Sequence, residues 1–162
     1  MANQSNNHEL ITPSPAQFAA CDGVAIRTGD AFALIGRILL GWLFLTAGWA
    51  HINGGIPGFT RYLTSLGVPA PEFFAWLATA AELVIGITLI LGVATRYGAL
   101  LGVVFLIVAT ALAHRYWEYP AAQQMGQYVN FLKNLSTFGG MLLLFVTGAG
   151  RFSIDGWLRK RG

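Results

Sequence analysis

The run Phe73-Phe-Ala-Trp-Leu-Ala-Thr-Ala-Ala-Glu82-Leu-Val-Ile-Gly-Ile-Thr-Leu-Ile-Leu91 decides the fold. It is apolar enough to cross a bilayer as a helix, which takes about 20 such residues. One carboxylate, Glu82, interrupts it near the middle. An ionisable group at that depth costs several kcal/mol unless it is paired, protonated or hydrated. Such a group marks either a function or a helix-pairing contact.

Three more apolar runs flank this one. Phe32 to Ala50 contains Arg37, and Tyr97 to Ala113 stops at His114-Arg115. Phe131 to Val146 carries Lys133 and Asn134 in its first turn. Each is long enough to span as a helix, so the sequence predicts an all-α, integral membrane four-helix bundle. The composition agrees. Of 162 residues, 55% are hydrophobic and 10% charged, against about 25% charged in soluble domains. The mean hydropathy is +0.57.

Composition also excludes several functions. The net charge of +3 is scattered apart from Arg159-Lys160-Arg161, so the expected partner is the lipid bilayer and not nucleic acid. Cys21 is the only cysteine, which rules out an internal disulfide or a CxxC dithiol relay. Three histidines without a Cys/His cluster give no metal signature, and no haem or flavin signature is present. Residues 1–30 read as a polar, mobile tail without a cleavable signal peptide. Residues 31–158 form the transmembrane domain, and 159–162 a basic tail.

The connections are rich in turn signals. His51 to Pro71 holds Gly54-Gly55, Pro57-Gly58 and Val68-Pro69-Ala70-Pro71 and is expected to be a loop. Ala94-Thr95-Arg96 is a tight link. Arg115 to Asn130 holds Tyr116, Trp117 and Tyr119, aromatic residues suited to a membrane interface. Arg27, Arg96, Arg151, Arg159, Lys160 and Arg161 fall on one side, and Arg61, Arg115 and Lys133 on the other. The positive-inside rule then puts both termini in the cytoplasm, in a bacterial inner membrane.

Helical spacing sorts the polar residues. Arg37, Gly41, Phe44, Gly48 and His51 share one face, and Ala75, Ala78, Thr79, Glu82 and Gly86 share another. Thr110 lies with His114, and Asn130, Lys133, Asn134, Thr137 and Met141 form a polar stripe. Counting about 1.5 Å per residue from the outward ends brings Arg37 and Glu82 to within about one turn of each other. The expectation is an Arg37–Glu82 pair inside the bundle. It serves either as a clamp between spans or as a proton-carrying carboxylate tuned by a cation. His51, His114, Asn130, Lys133 and Asn134 gather at the outward ends. They are either ordinary interfacial residues or the lining of a pocket. A quinone head group needs hydrogen-bond donors for two carbonyl oxygens and a proton source, which His, Lys, Asn and Glu supply. Two histidines on different spans leave haem ligation as an alternative. Gly98 and Gly102 at GxxxG spacing allow close helix approach, within this chain or against another.

Several stretches, taken in order, resemble the DoxX family of small bacterial membrane proteins. They are Arg37-Ile-Leu-Leu-Gly-Trp-Leu-Phe-Leu-Thr-Ala-Gly48, Leu66-Gly-Val-Pro-Ala-Pro71, Ala81-Glu82-Leu-Val-Ile-Gly86, Leu91-Gly-Val-Ala-Thr-Arg96, Asn130-Phe-Leu-Lys-Asn134 and the ending Gly148-Ala-Gly-Arg-Phe-Ser-Ile-Asp155. The resemblance runs from about Leu34 to Leu158. It implies a four-helix transmembrane bundle and a link to membrane redox chemistry, since related proteins form membrane subunits of a thiosulfate:quinone oxidoreductase. It also implies that Arg37, Glu82, Arg96, His114, Asn130, Lys133 and Asn134 occupy recurrent polar positions. His51 departs from the pattern, standing where many relatives carry Lys.

Two functions follow as expectations. The first is a quinone-linked subunit of a membrane oxidoreductase complex, with Glu82 and Arg37 in the chemistry and another protein subunit delivering electrons. The second is a structural or anchoring subunit with no catalytic role, its Gly98/Gly102 row facing a partner chain.

Overall fold

The computed structural model describes residues 15–161, without the side chains of 15–21 and 24–27. Residues 1–14 of the expected tail, Gly162 and the side chains of Cys21 and Arg27 lie outside the described residues. Among the described residues six α-helices follow in order: α1 Pro15–Ala50, α2 Ile56–Ser65, α3 Pro71–Leu91, α4 Thr95–Ala113, α5 Ala121–Thr147 and α6 Ile154–Arg159. No strand occurs among the described residues. Four stretches, Thr28–Ser65, Pro71–Leu91, Thr95–Glu118 and Ala121–Thr147, are helical, long and apolar enough to cross a membrane. The all-α four-span bundle is therefore what the chain forms.

Helix α1 is described from Pro15. It runs through part of the stretch read as a tail, over an alanine-rich sequence that favours helix. At the far end, His51–Gly55 is a distorted turn in which Asn53 and Gly54 leave helical geometry. Gly54 takes φ 97°, a left-handed conformation open to glycine. The chain then re-enters helix α2, with Pro57 in its first turn. The expected loop between His51 and Pro71 is thus half helical. Its apolar residues Ile56 and Leu63 recur at seven-residue spacing and are both buried. Helix α5 likewise begins at Ala121, ten positions earlier than the apolar run at Phe131 suggested.

Helices α1, α3, α4 and α5 alternate in direction. The ends near Arg37, Leu91, Thr95 and Thr147 form the terminal end of the bundle, and the opposite ends form the loop end. The closest pair is α1 with α3, and α4 pairs with α5; α1 and α5 meet only sparsely. Glycines explain the first pair. A Cβ on Gly86 would stand 2.7 Å from the Leu45 amide nitrogen, and one on Gly41 would stand 2.9 Å from Gly86 O. Backbone therefore rests on backbone, as small residues permit in membranes. Between the four helices lies a core of Phe44, Ile85, Leu89, Ala99, Leu106, Met141 and Leu144. Gly98 lies against Thr88, and Gly102 against Met141. The GxxxG row is therefore used inside the chain, not against a partner.

The terminal end is tied by the segment after α5. The buried Arg37 guanidinium donates to Leu89 O at 2.9 Å, Ile90 O at 3.0 Å and Phe152 O at 2.6 Å. These carbonyls lie at the end of α3 and in the C-terminal segment, where no helical N–H reaches them. Asp155 accepts from the amides of Ala94 at 2.8 Å and Thr95 at 2.9 Å, capping α4 from a distant part of the chain. Ala94 needs that support, since its φ of 49° is costly for a residue with a Cβ. Asp30 accepts from the Arg151 amide at 2.8 Å. Ser153 caps α6 by accepting from the Gly156 amide at 3.0 Å.

Candidate functional site

The glycine contacts fix the register of α1 against α3. Gly48 packs against Thr79 O and Leu83, and Gly41 against Gly86 O and Ile90. Glu82 is therefore level with the loop end of α1, and Arg37 is level with Leu89. The helix between Arg37 and Gly48 is about 16 Å long. The expected Arg37–Glu82 pair does not form. The count from the outward ends treated His51 as level with the start of α3. In fact α1 stops well short of that start, and α2 packs beside the upper part of α3.

The partner of Glu82 is His51. Their closest atoms, His51 Nε2 and Glu82 Oε2, are 3.6 Å apart. That exceeds a hydrogen bond, so the pair is electrostatic and loosely held. Glu82 is 8% exposed, and its Oε2 is buried without a hydrogen-bond partner. Thr79, one turn away, directs its hydroxyl to Ala75 O at 2.8 Å and leaves the carboxylate unserved. His51 sits just beyond α1, in the distorted turn. Its ring stacks on Phe59 of α2, with centroids 4.2 Å apart and planes inclined by 13°. The break after α1 and the return through α2 thus orient the imidazole toward α3. Its side chain remains 26% exposed, against 11% for that of Glu82. The arrangement is a carboxyl and an imidazole, both able to carry a proton, with one side reachable from outside.

The remaining site residues have other partners. His114 Nδ1 lies 2.8 Å from Gln127 Oε1. Asn134 donates to the Thr110 hydroxyl at 3.1 Å, and Lys133 to Asn130 Oδ1 at 3.3 Å. The first two contacts join α4 to α5, and the third stays on the exposed face of α5. Among the described residues, no hydrogen bond or ion pair joins His51 to any of them. The expected outward cluster is thus divided between two helix pairs, because α4 packs on α5 while α1 packs on α3. No three His, Cys, Asp or Glu side chains gather as metal ligands among the described residues.

Sequence reasoning missed Phe59, Gln127 and a tyrosine pair. Tyr62 of α2 and Tyr119 both donate to Ala113 O, at 3.1 Å and 3.0 Å. That carbonyl belongs to the last turn of α4 and lacks a helical partner. Beside the pair is an open cleft of about 480 Å³ whose lining includes Ser65, Arg115, Glu118 and Gln123. The 56–63 periodicity of α2 was the available signal for Phe59, but the Pro and Gly turn signals around it obscured the helix.

Comparison with known proteins places these residues in context. The family model described as DoxX matches residues 32–115, the stretch that holds Arg37, His51, Glu82, Arg96 and His114. The chain is 36% identical over 132 residues to inner membrane protein YqjF of Escherichia coli (strain K12), covering 82% of this chain and 95% of that one. It is 34% identical over 122 residues to inner membrane protein YphA of the same organism, covering 75% and 86%. A Surfeit locus protein 4 homolog of Schizosaccharomyces pombe is 29% identical over 126 residues, covering 76% of this chain and 36% of that protein. No solved structure matches the chain significantly.

Proposed function

The chain belongs to the DoxX family of membrane proteins, and from that premise we propose that it is a quinone-linked subunit of a membrane redox complex. It is a multi-pass inner-membrane protein in contact with lipid. The observation that carries the proposal is the buried, unpartnered Oε2 of Glu82 beside the His51 imidazole. A carboxylate kept only to clamp helices would be expected to have its oxygens satisfied, because an unpaired buried polar atom is costly. An unsatisfied one, next to a partly exposed imidazole, suits a group that accepts and releases protons.

A bound quinone supplies a two-electron, two-proton acceptor, and a partner subunit supplies the electrons. The residues present fit that need in part: the His51–Phe59 stack offers an aromatic plane with a ring nitrogen, and Glu82 offers the second proton position. Glu82 exchanges a proton with His51 when the 3.6 Å gap closes to hydrogen-bonding distance or is bridged by one water, and His51 exchanges it at its exposed side. Phe59 holds the imidazole in place. Arg37, tied to three carbonyls, takes no part in the chemistry and acts structurally. His114, Asn130, Lys133 and Asn134 stand outside the proton path. The basic residues Arg96, Arg151, Arg159, Lys160 and Arg161 lie at the terminal end, against Arg61, Arg115 and Lys133 toward the other. That asymmetry supports cytoplasmic termini, with the Glu82–His51 pair on the periplasmic side of the midplane.

The test is solvent extraction of the mildly purified protein, with mass spectrometry for quinone, beside Glu82→Gln and His51→Ala variants. Near-stoichiometric quinone that is lost in folded variants supports the reading. No quinone, with another protein co-purifying in fixed ratio, moves the chain to the alternative of an anchoring subunit.

A further inference from the structure

At the terminal end, away from Glu82, a second cleft of about 330 Å³ opens between the first turn of α4 and α6. Its lining includes Arg96, Tyr97, Gly148, Asp155, Leu158 and Arg159. Arg96 donates once, to Val146 O at 3.2 Å. Among the described residues, neither Arg96 nor Arg159 joins a salt bridge within 4.0 Å. The one carboxylate in the cleft, Asp155, has both oxygens turned to the Ala94 and Thr95 amides. Its charge is directed at the start of α4, although it still attracts Arg159. Two guanidinium groups thus retain donors for an anion, and a guanidinium fork matches phosphate oxygens well.

The cleft also has a greasy wall. Tyr97 is 80% exposed and Leu158 52%. The position fits a bilayer surface, since the apolar run of α4 starts directly after Arg96 and the exposed Trp157 lies on the adjoining helix. Cations next to exposed apolar side chains at this depth match one kind of molecule, with phosphate above and acyl chain below. A free phosphate would use the arginines and leave the wall idle. We propose that this cleft holds the headgroup phosphate of an anionic phospholipid from the leaflet at the terminal end. The lipid joins α4, the end of α5 and α6, and this role is independent of any redox activity.

The test uses the full chain purified in detergent. Phosphatidylglycerol or phosphatidylcholine is added, and binding is read by native mass spectrometry and by the shift in Tm. One phosphatidylglycerol per chain, with a raised Tm and little effect of phosphatidylcholine, is the expected result. An R96Q/R159Q variant should bind about tenfold more weakly or worse, from the loss of two charge-assisted contacts. Arg161→Gln should bind normally, because Arg161 lies over the Trp157 ring at 3.8 Å and does not line the cleft. Equal binding of the two lipids, or an unchanged R96Q/R159Q variant, would overturn the proposal. So would a full Tm shift from inorganic phosphate alone, which would make this a free-anion site. If the double variant fails to fold, Arg159→Gln alone decides: weaker binding supports the site, and unchanged binding removes it.

Discussion

The two ends of the bundle treat charge in opposite ways. At the terminal end, Arg37 donates to three carbonyls, and both oxygens of Asp155 accept from backbone amides. Toward the loop end, Glu82 faces His51 across 3.6 Å and keeps one oxygen without a partner. Charges of the first kind are fixed in place, because moving a proton would break several hydrogen bonds at once. A charge of the second kind gives up little when a proton moves. Two similar-looking polar residues in apolar runs therefore have different roles, and the partner set separates them where the residue type does not.

The comparison breaks most visibly at Arg37. Arg37→Leu removes three charge-assisted bonds and strands carbonyls at the end of α3, so the expected loss of stability is about 3 kcal/mol or more. Thermal unfolding of the purified protein measures it. A variant with wild-type Tm would show that the clasp is incidental. Arg37→Lys should recover only part of the loss, since an ammonium lacks the fork that reaches separate carbonyls.

Asp155→Ala is the next step down, with an expected loss of about 1–2 kcal/mol from the missing cap. This contribution depends on pH. Partial burial pushes the Asp155 carboxyl up, but the Thr95 and Ala94 amides and the Arg159 charge bring it, on balance, below the ordinary carboxylate value. Its stabilising effect is thus complete above the ordinary carboxylate range and fades as pH falls through the lowered value. Acid titration of Tm should show wild type losing stability that Asp155→Ala never had, so the two curves converge at low pH. A constant gap down to strong acid would contradict the cap.

Smaller effects sharpen the contrast. Thr110→Val removes the acceptor for Asn134, and one interhelical hydrogen bond in a membrane is worth about 0.6 kcal/mol. The same unfolding assay should register a slight loss, and a loss on the scale of Arg37→Leu would mean that the α4–α5 contact is part of a larger network. Glu82→Gln should change stability least, by about 0.5 kcal/mol or less in either direction, because it replaces a poorly satisfied charge with a neutral isostere. A collapse of stability in Glu82→Gln would erase the difference between the ends and make Glu82 a structural residue too.

How much of this was legible depends on the range of the interaction. The spans were legible because apolar runs near bilayer length leave few alternatives. Gly41 and Gly48 on one span and Gly86 on the next fell on the faces that helical spacing sorted out, and these glycines do pack α1 against α3. Ala75, Thr79 and Glu82 were read as sharing one helix face, and all three are buried. Helix α2 was hidden by Pro57, Gly58 and the double glycine before it, whose local preference for turns concealed a ten-residue helix. Arg37 was recognised as important, but its partners lie 52, 53 and 115 positions away in sequence, beyond any periodic signal. Asp155 was seen only as part of a family-like ending, because its role at α4 is set by the fold of the C-terminal segment.

The sequence by itself determined that this chain is a four-span α-helical membrane protein, that polar and small residues share faces on its helices, and that Glu82 is an anomaly needing a partner. Burial and periodicity act over one helix and can be read from one helix. Only the tertiary structure decided which partner each charge has. That choice depends on the register between antiparallel helices, fixed by glycine contacts between α1 and α3 and by the return of α2 beside them. With Gly48 beside Thr79 and Leu83, that register puts His51, and not Arg37 about four turns away, next to Glu82.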